Sequence, residues 1–123
     1  ALDKTSPAAW YDLALTQQKR GELEASLASY DQAVACRPEY LQAWYNRGLV
    51  AMELKQDDKA RQSFQEILRF SPQSADAANA MAVLYLRKGN ADKAGSWLER
   101  AGQINSANPR IQANRQQFQT YLR

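Results

Sequence analysis

A period of 34 residues constrains this 123-residue chain more than any other feature of its sequence. Small residues recur at the eighth position of each period and large apolar residues at the twenty-fourth. The small residues are Ala14, Gly48 and Ala82, and the large ones are Tyr30, Phe64 and Leu98. A fixed period of this length is typical of repeat proteins, in which each repeat packs against its sequence neighbours. The sequence therefore predicts a leader at 1–6 and one domain over 7–123, with repeats at 7–40, 41–74 and 75–108 and a closing helix at 109–123.

Each repeat carries the signals of two helices joined by a short turn. Ser6 and Pro7 suit the start of a helix, and Gly21 suits the left-handed residue that ends it. Pro38 stops the second helix, because the residue before a proline is pushed out of the helical region. In the second repeat, the turn between the two helices has no glycine at the position of Gly21. We therefore expect it to be the most strained of the three turns inside the repeats. The seven expected helices lie at about 7–20, 22–37, 39–55, 57–70, 75–88, 91–104 and 109–123, and they leave no sequence for a sheet.

The residue types present argue against catalysis. The chain has no histidine, the commonest acid–base and metal-binding residue. No glycine-rich phosphate loop, paired-cysteine metal spacing or nucleophile elbow occurs. We therefore expect no enzyme, no cofactor and no metal site. The single cysteine, Cys36, is predicted to be a buried or half-buried inert thiol, and its isolation favours a reducing compartment such as the cytoplasm.

The net charge of +3 is concentrated near the C-terminus. Beyond Glu99 there are four arginines and no acidic residue, namely Arg100, Arg110, Arg115 and Arg123. A chain that binds nucleic acid through charge needs a denser basic face than this, so we expect no nucleic-acid partner. The sequence also lacks an 18-residue apolar run and a basic-then-apolar leader, so no membrane insertion is expected.

The repeat resembles the tetratricopeptide repeat, a 34-residue helix-turn-helix whose pattern is Trp, Leu, Gly, Tyr, Ala, Phe, Ala and Pro. The match is weaker in the third repeat, where Ala78 replaces the tryptophan. The matching residues are Trp10, Leu13, Ala33 and Pro38, then Trp44, Gly48, Ala60, Phe64 and Pro72, then Tyr85, Ala94 and Ala101. The resemblance implies an all-α, right-handed α-solenoid of three repeats plus a seventh capping helix, and a non-enzymatic module that binds another protein. Trp97 is expected to pack beneath the capping helix, and the alternative is that it is an exposed contact for a partner.

The resemblance also implies that the first helix of each repeat lines a concave groove. Leu15, Leu49 and Val83 form an apolar lane at the same position of all three repeats, and Tyr11 and Tyr45 stand beside it. We expect this lane to anchor a peptide or helix of a partner. The alternative is that the lane only packs helices together. The other predicted groove residues are Asp12, Lys19, Asn46, Met52, Glu53, Asn79, Leu86 and Arg87.

Some members of this family bind the acidic C-terminus of heat-shock chaperones through a Lys, Asn, Asn, Lys and Arg clamp. The corresponding residues here are Tyr11, Leu15, Asn46, Asp76 and Ala80. Only Asn46 matches, and Asp76 repels a carboxylate, so we expect no binding of such a tail.

Two other functions stay open. One is a structural role, in which the chain is a self-associating spacer cut from a longer repeat protein. The other is RNA binding of the pentatricopeptide type, but that class has a period of 35 and a more basic inner face. A peptide-binding module is expected to be a monomer or a weak homo-oligomer.

Overall fold

The computed structural model describes residues 6–104 and 109–122 of the chain. Within these residues there are seven helices and no strand. The predicted all-α fold of three two-helix repeats and a seventh helix is therefore confirmed. Each helix ends within two residues of its expected position. The helices are α1 (Pro7–Lys19), α2 (Leu23–Cys36), α3 (Leu41–Glu53), α4 (Asp57–Phe70), α5 (Ala75–Arg87), α6 (Ala91–Ile104) and α7 (Pro109–Leu122). The predicted leader, apart from Ser6, lies outside the described residues.

Serine caps start the first helix of two repeats. The Ser6 and Ser74 side chains accept hydrogen bonds from the backbone N–H groups of Ala9 and Ala77, each at 3.2 Å. The two serines lie two periods apart. Tyr40 occupies the same position in the second repeat and makes no side-chain cap bond. Each serine satisfies a helix donor that otherwise has no partner within the helix.

The turn inside each repeat uses a left-handed residue at the same position of the period. Gly21 and Gly89 have φ angles of 79° and 77°, and Lys55 has a φ of 61°. A side chain makes this conformation unfavourable because Cβ approaches the backbone carbonyl oxygen too closely. The strain expected in the glycine-free turn therefore lies on Lys55.

Replacing Lys55 by glycine is expected to raise the free energy of unfolding by about 0.5 to 1 kcal/mol. Relief of the left-handed strain exceeds the extra entropy that glycine gives to the unfolded chain. Chemical denaturation of the two proteins measures the difference. Gly21→Ala, at the matching turn of the first repeat, is the control and should change stability in the opposite direction. A loss of stability in Lys55→Gly would contradict the assignment of strain to this turn.

The chain divides into two compact units, one up to Ile67 and one from Leu68 onward. The boundary falls inside α4. In unit 1, α2 packs against both α1 and α3. The large residues Tyr30 and Phe64 are fully buried there, as are the small residues Ala14 and Gly48. This is the large-and-small pairing that close helix packing requires.

In unit 2, α6 packs against α5 and α7. Ala78, Ala101 and Ile111 form a buried cluster, and Trp97 is partly buried against it. The expected position of Trp97 beneath α7 is therefore confirmed. The cluster contains one residue from each of the three helices, so α7 is part of the core of this unit.

The expectation for Cys36 is wrong, because its side chain is exposed. Cys36 is the last residue of α2. Its neighbours Ala35 and Arg37 are exposed as well, whereas the buried stripe of the helix ends at Val34. The buried stripe covers only one side of the helix. Cys36, in the last turn of α2, lies outside that stripe.

No helix among the described residues is long and apolar enough to cross a membrane.

Candidate functional site

The first helices of unit 1 carry a set of apolar side chains that are half-buried rather than fully buried. They are Tyr11 and Leu15 on α1, and Tyr45, Leu49 and Met52 on α3. A side chain in the middle of a core is normally closed off from solvent, as Tyr30 and Phe64 are in this unit. The half-buried residues therefore lie at the surface of the core, where a further molecule can reach them.

A hydrogen bond joins α1 to α3 at this surface. The Asn46 side-chain amide donates to the Tyr11 hydroxyl oxygen at 2.9 Å. This bond shows that Tyr11 and Asn46, both predicted from the sequence, are brought together. It also means that the Asn46 amide is already engaged within the fold.

Tyr11 is held between two other tyrosines. Its ring centroid lies 5.9 Å from that of Tyr30 in an edge-on arrangement and 5.0 Å from that of Tyr40. The guanidinium group of Arg37 lies over the outer ring, 5.1 Å from the Tyr40 centroid. Aromatic contacts of this kind add to the energy of burial and restrict the side chain. Tyr11 is therefore a rigid part of the surface. Tyr45 is similarly placed, edge-on to Phe64 at 5.9 Å.

Tyr30 lies beneath this surface and carries a buried hydroxyl group. Its hydroxyl donates a hydrogen bond of 2.6 Å to the Gln18 side-chain oxygen. Burial, and then the nearby Tyr11, raise the pKa of Tyr30 to about 12, although a hydrogen bond with Asn46 acts in the opposite direction. The phenol is therefore strongly favoured over the phenolate in the folded protein.

Stability is expected to fall above about pH 10, in the range where Tyr30 ionises. The pKa of Tyr30 is higher in the folded state than the ordinary value of 10. Its contribution is therefore complete below about pH 10 and is lost as the pH rises toward about 12. Denaturation of wild type and Tyr30→Phe across this range measures the effect, and the wild type should lose stability more steeply. Parallel pH curves for the two proteins would show that the pKa of Tyr30 is the same in the folded and unfolded states, which would contradict the effect of burial.

Charged side chains flank the apolar residues of unit 1. Asp12 and Lys19 on α1 and Glu53 on α3 are exposed, as the sequence predicts for the edges of a binding surface. The surface thus carries charges of both signs next to an apolar floor. Such an arrangement suits a segment of a protein better than a polyanion.

The predicted residues on α5 of unit 2 have mixed environments. Val83 and Leu86 are half-buried, and Arg87 is exposed. Asn79 is only 3% exposed, and its side-chain oxygen accepts a hydrogen bond of 2.8 Å from Asn114 of α7. The Asn79 amide oxygen is thus used to hold α7. The same pair of positions is bonded in unit 1, between Tyr11 and Asn46. In both bonds, the fifth residue of one period is joined to the sixth residue of the next.

Arg47 is a buried residue whose importance sequence reasoning did not detect. Its guanidinium group donates to the Asp31 carboxylate, the Lys59 backbone oxygen at 3.2 Å, the Ser63 hydroxyl at 2.7 Å and the Gln62 side chain at 3.3 Å. Arg47 is only 7% exposed. The available signal was a charge at a position where the other repeats have the apolar residues Leu13 and Met81. Arg47 links α2, α3 and α4 and lies in the core.

The described residues contain no group of three or more histidine, cysteine, aspartate or glutamate side chains able to hold a metal ion.

Comparison with protein families gives two matches over this chain, both to models described as tetratricopeptide repeat. One covers residues 11–75 and the other residues 51–117. Each spans more than half of the chain. A comparison with curated proteins found no match.

Several solved structures resemble this chain. A crystal structure of MamA has a TM-score of 0.82 at 27% identity and covers 85% of this chain. The chain spans 61% of the length of that protein and 57% of a second MamA structure. The first tetratricopeptide repeat domain of Spaghetti (RPAP3), bound to the HSP90 peptide SRMEEVD, has a TM-score of 0.87 at 13% identity, with coverage of 98% of this chain and 96% of that one. A tetratricopeptide repeat protein from Parabacteroides merdae has a TM-score of 0.82 at 22% identity, with coverage of 89% and 43%.

Proposed function

The chain belongs to the tetratricopeptide repeat family, and from this premise we propose that it is a non-enzymatic module that binds a segment of a partner protein on the first helices of its repeats. Repeats of this family are protein–protein interaction modules. A partner must contact a particular part of the molecule. We assign this contact to the surface of α1 and α3 within unit 1. In unit 2, considered by itself, Val83, Leu86 and Arg87 on α5 stay predicted contact residues.

The observation that carries this proposal is the set of half-buried apolar side chains on α1 and α3. Leu15, Leu49 and Met52 retain accessible surface beside Tyr11 and Tyr45, which are held in aromatic contacts. A partner therefore meets two aromatic side chains that lose little side-chain entropy on binding. Rigid aromatic residues next to aliphatic ones are the usual composition of the region that contributes most binding energy.

The partner is proposed to be a segment other than an acidic chaperone tail. The Spaghetti (RPAP3) domain was solved with an HSP90 peptide. At 13% identity, its similarity to this chain is one of fold alone. Such a tail needs cationic donors, and two positions of the clamp that would contact it are occupied here by Tyr11 and Leu15, which carry no positive charge. The matching residue, Asn46, donates its amide to Tyr11.

Crosslinking followed by substitution tests the proposal. A photoreactive residue at position 49 should capture the partner, whereas one at Gln65, an exposed residue of α4, is the control and should not. The captured protein is then titrated against wild type and the double variant Tyr45→Gln/Leu49→Gln. We expect at least about a tenfold loss of affinity, since two anchors are removed. Circular dichroism must show an unchanged helical spectrum, because Tyr45 also touches Phe64.

Unchanged affinity of a folded double variant would place the binding surface elsewhere on the molecule. The peptide SRMEEVD serves as a second ligand in the same titration. We expect no binding of this peptide to the wild type. Micromolar affinity for it would contradict the exclusion of chaperone tails.

A further inference from the structure

Helix α7 lies beside α5 in unit 2 as α3 lies beside α1 in unit 1. The Asn114 side-chain amide donates to the Asn79 side-chain oxygen at 2.8 Å, and the Asn46 amide donates to the Tyr11 hydroxyl oxygen at 2.9 Å. Asn114 and Asn79 stand two periods after Asn46 and Tyr11. Each unit therefore joins two helices at the same pair of positions, and α7 has the place of the first helix of a repeat.

Burial along α7 gives this helix the orientation of a first helix. Ile111 is fully buried, as are Ala77 and Ala43, which stand one and two periods before it. Phe118 faces α6, since a Cβ atom on Gly95 would lie 2.9 Å from Cζ of its ring. The core side of α7 is thus the same side that the first helices turn to the core.

Two exposed residues of α7 lie on the side next to α5. Gln117 follows Asn114 by three residues and Ala113 by four, so it lies beside both on the helix surface. Gln117 also stands one period after Val83, the half-buried residue of the apolar lane on α5. Val83 follows Asn79 by four residues. Val83 and Gln117 therefore each lie one turn beyond the hydrogen bond that joins their helices.

The surface of α5 and α7 differs in chemistry from that of α1 and α3. Where unit 1 has the rings of Tyr11 and Tyr45, unit 2 has Asn79, which is 3% exposed, and Ala113, which is exposed but small. A chain that binds here can therefore approach the helices closely. The Gln117 carboxamide carries both a donor and an acceptor, as a peptide group does. Such a surface suits the backbone of an extended chain better than a large side chain.

The charge near Val83 is positive. Arg87 is exposed and lies one turn beyond Val83 on α5, and α7 has no acidic residue. Asp76, the one acidic residue of α5, lies two turns before Val83. A basic side chain that docks beside Gln117 therefore loses water without gaining a counter-charge on α7, which is unfavourable.

We propose that Ala113 and Gln117 of α7, together with Val83 of α5, bind the backbone of an extended stretch of the partner segment. The stretch has small side chains and no lysine or arginine at this point. The Gln117 carboxamide donates to a backbone oxygen of the stretch and accepts from a backbone N–H. This inference rests on the proposed function, and it gives α7 a role in binding besides its place in the core of unit 2.

Crosslinking from α7 tests the location of the site. A photoreactive residue at position 117 should capture the same protein as one at position 49, whereas one at position 119 should not. Gln119 is also exposed, but two residues turn a helix by about 200°, so it lies on the opposite side from Gln117. Capture at position 49 without capture at position 117 overturns this inference and leaves the proposed function standing. Capture at neither position overturns the proposed function as well.

Substitutions on α7 test the chemistry, with the captured protein as ligand. Gln117→Leu removes the carboxamide and should lower the affinity at least about fivefold. Ala113→Tyr introduces the ring that unit 1 has at this position, and should lower the affinity at least about tenfold because it blocks close approach. Gln119→Leu and Gln119→Tyr are the matched controls and should bind as wild type does. Circular dichroism establishes that all four variants are folded.

A modified peptide separates recognition of the backbone from recognition of a side chain. The segment that is crosslinked to position 117 is synthesised with and without N-methyl groups on the crosslinked residue and its two neighbours. N-methylation removes backbone donors and should cost wild type at least about fivefold in affinity, but should cost Gln117→Leu much less. Equal losses in the two proteins would overturn the assignment to the backbone. A higher affinity of Gln117→Leu for the unmodified peptide would also overturn it, since an apolar side chain would then face this position.

Discussion

Replacing Arg47 by alanine is expected to lower the free energy of unfolding by about 3 to 4 kcal/mol. The substitution removes four hydrogen bonds at once and leaves the Ser63 hydroxyl, which is fully buried, without its donor. It also removes the guanidinium group that lies 5.3 Å from the Trp44 ring centroid. A buried polar group without a partner costs more than the net value of the bond that it lost.

The ion pair with Asp31 contributes only a small part of this effect. The Asp31 side chain is 43% exposed, so water hydrates its carboxylate when Arg47 is absent. Asp31→Asn is therefore the matched control, with an expected loss below about 1 kcal/mol. Arg47→Met keeps much of the packing and should fall between the two variants. Urea denaturation of all four proteins measures the series. Equal losses in Asp31→Asn and Arg47→Ala would contradict the assignment to the buried bonds.

The second large effect is expected from Gly48→Ala, with a loss of about 2 kcal/mol. A Cβ atom at this position would lie 2.5 Å from Cζ of Phe64 and 2.7 Å from Cε1. Phe64 is fully buried, so its ring has no free space to move into. Alanine is more favourable than glycine inside a helix by about 1 kcal/mol, but overpacking of a buried ring costs more than this gain. The net result is therefore a destabilisation.

The third repeat suggests how this loss can be rescued. Ala82 and Leu98 stand at the positions of Gly48 and Phe64, and both are buried. The double variant Gly48→Ala/Phe64→Leu recreates that combination and should be more stable than the sum of its single variants predicts, by about 1 kcal/mol or more. A double-mutant cycle from thermal or urea denaturation measures this coupling. Additive losses would show that the contact between the two positions does not limit the packing.

Much of the repeat structure is predictable from the sequence because its signals are local. Ser6, Pro7 and Pro38 act on the backbone within a few residues, so they locate helix ends in any context. The lack of a glycine in the turn at Lys55 predicts strain there, and the positive φ of that residue confirms it. The periodic placement of small and large residues indicates which positions meet in the core.

The candidate site was less predictable. Position in the repeat predicts that four residues contact a partner, namely Tyr11, Leu15, Tyr45 and Leu49, and this contact stays a prediction. The sequence did not show that Asn79 would be 3% exposed and bonded to Asn114. Nor did it show that Tyr11 would stand between two other tyrosines.

The sequence by itself determined the 34-residue period, the ends of the helices and the turns between them. These depend on cap side chains, on proline and glycine stereochemistry and on the spacing of apolar residues along one helix. Only the tertiary structure decided that Arg47 is enclosed by Asp31, Gln62 and Ser63, and that Cys36 is exposed. Those outcomes depend on which side chains of different helices come within hydrogen-bonding distance, and the order of residues along a single helix does not specify this.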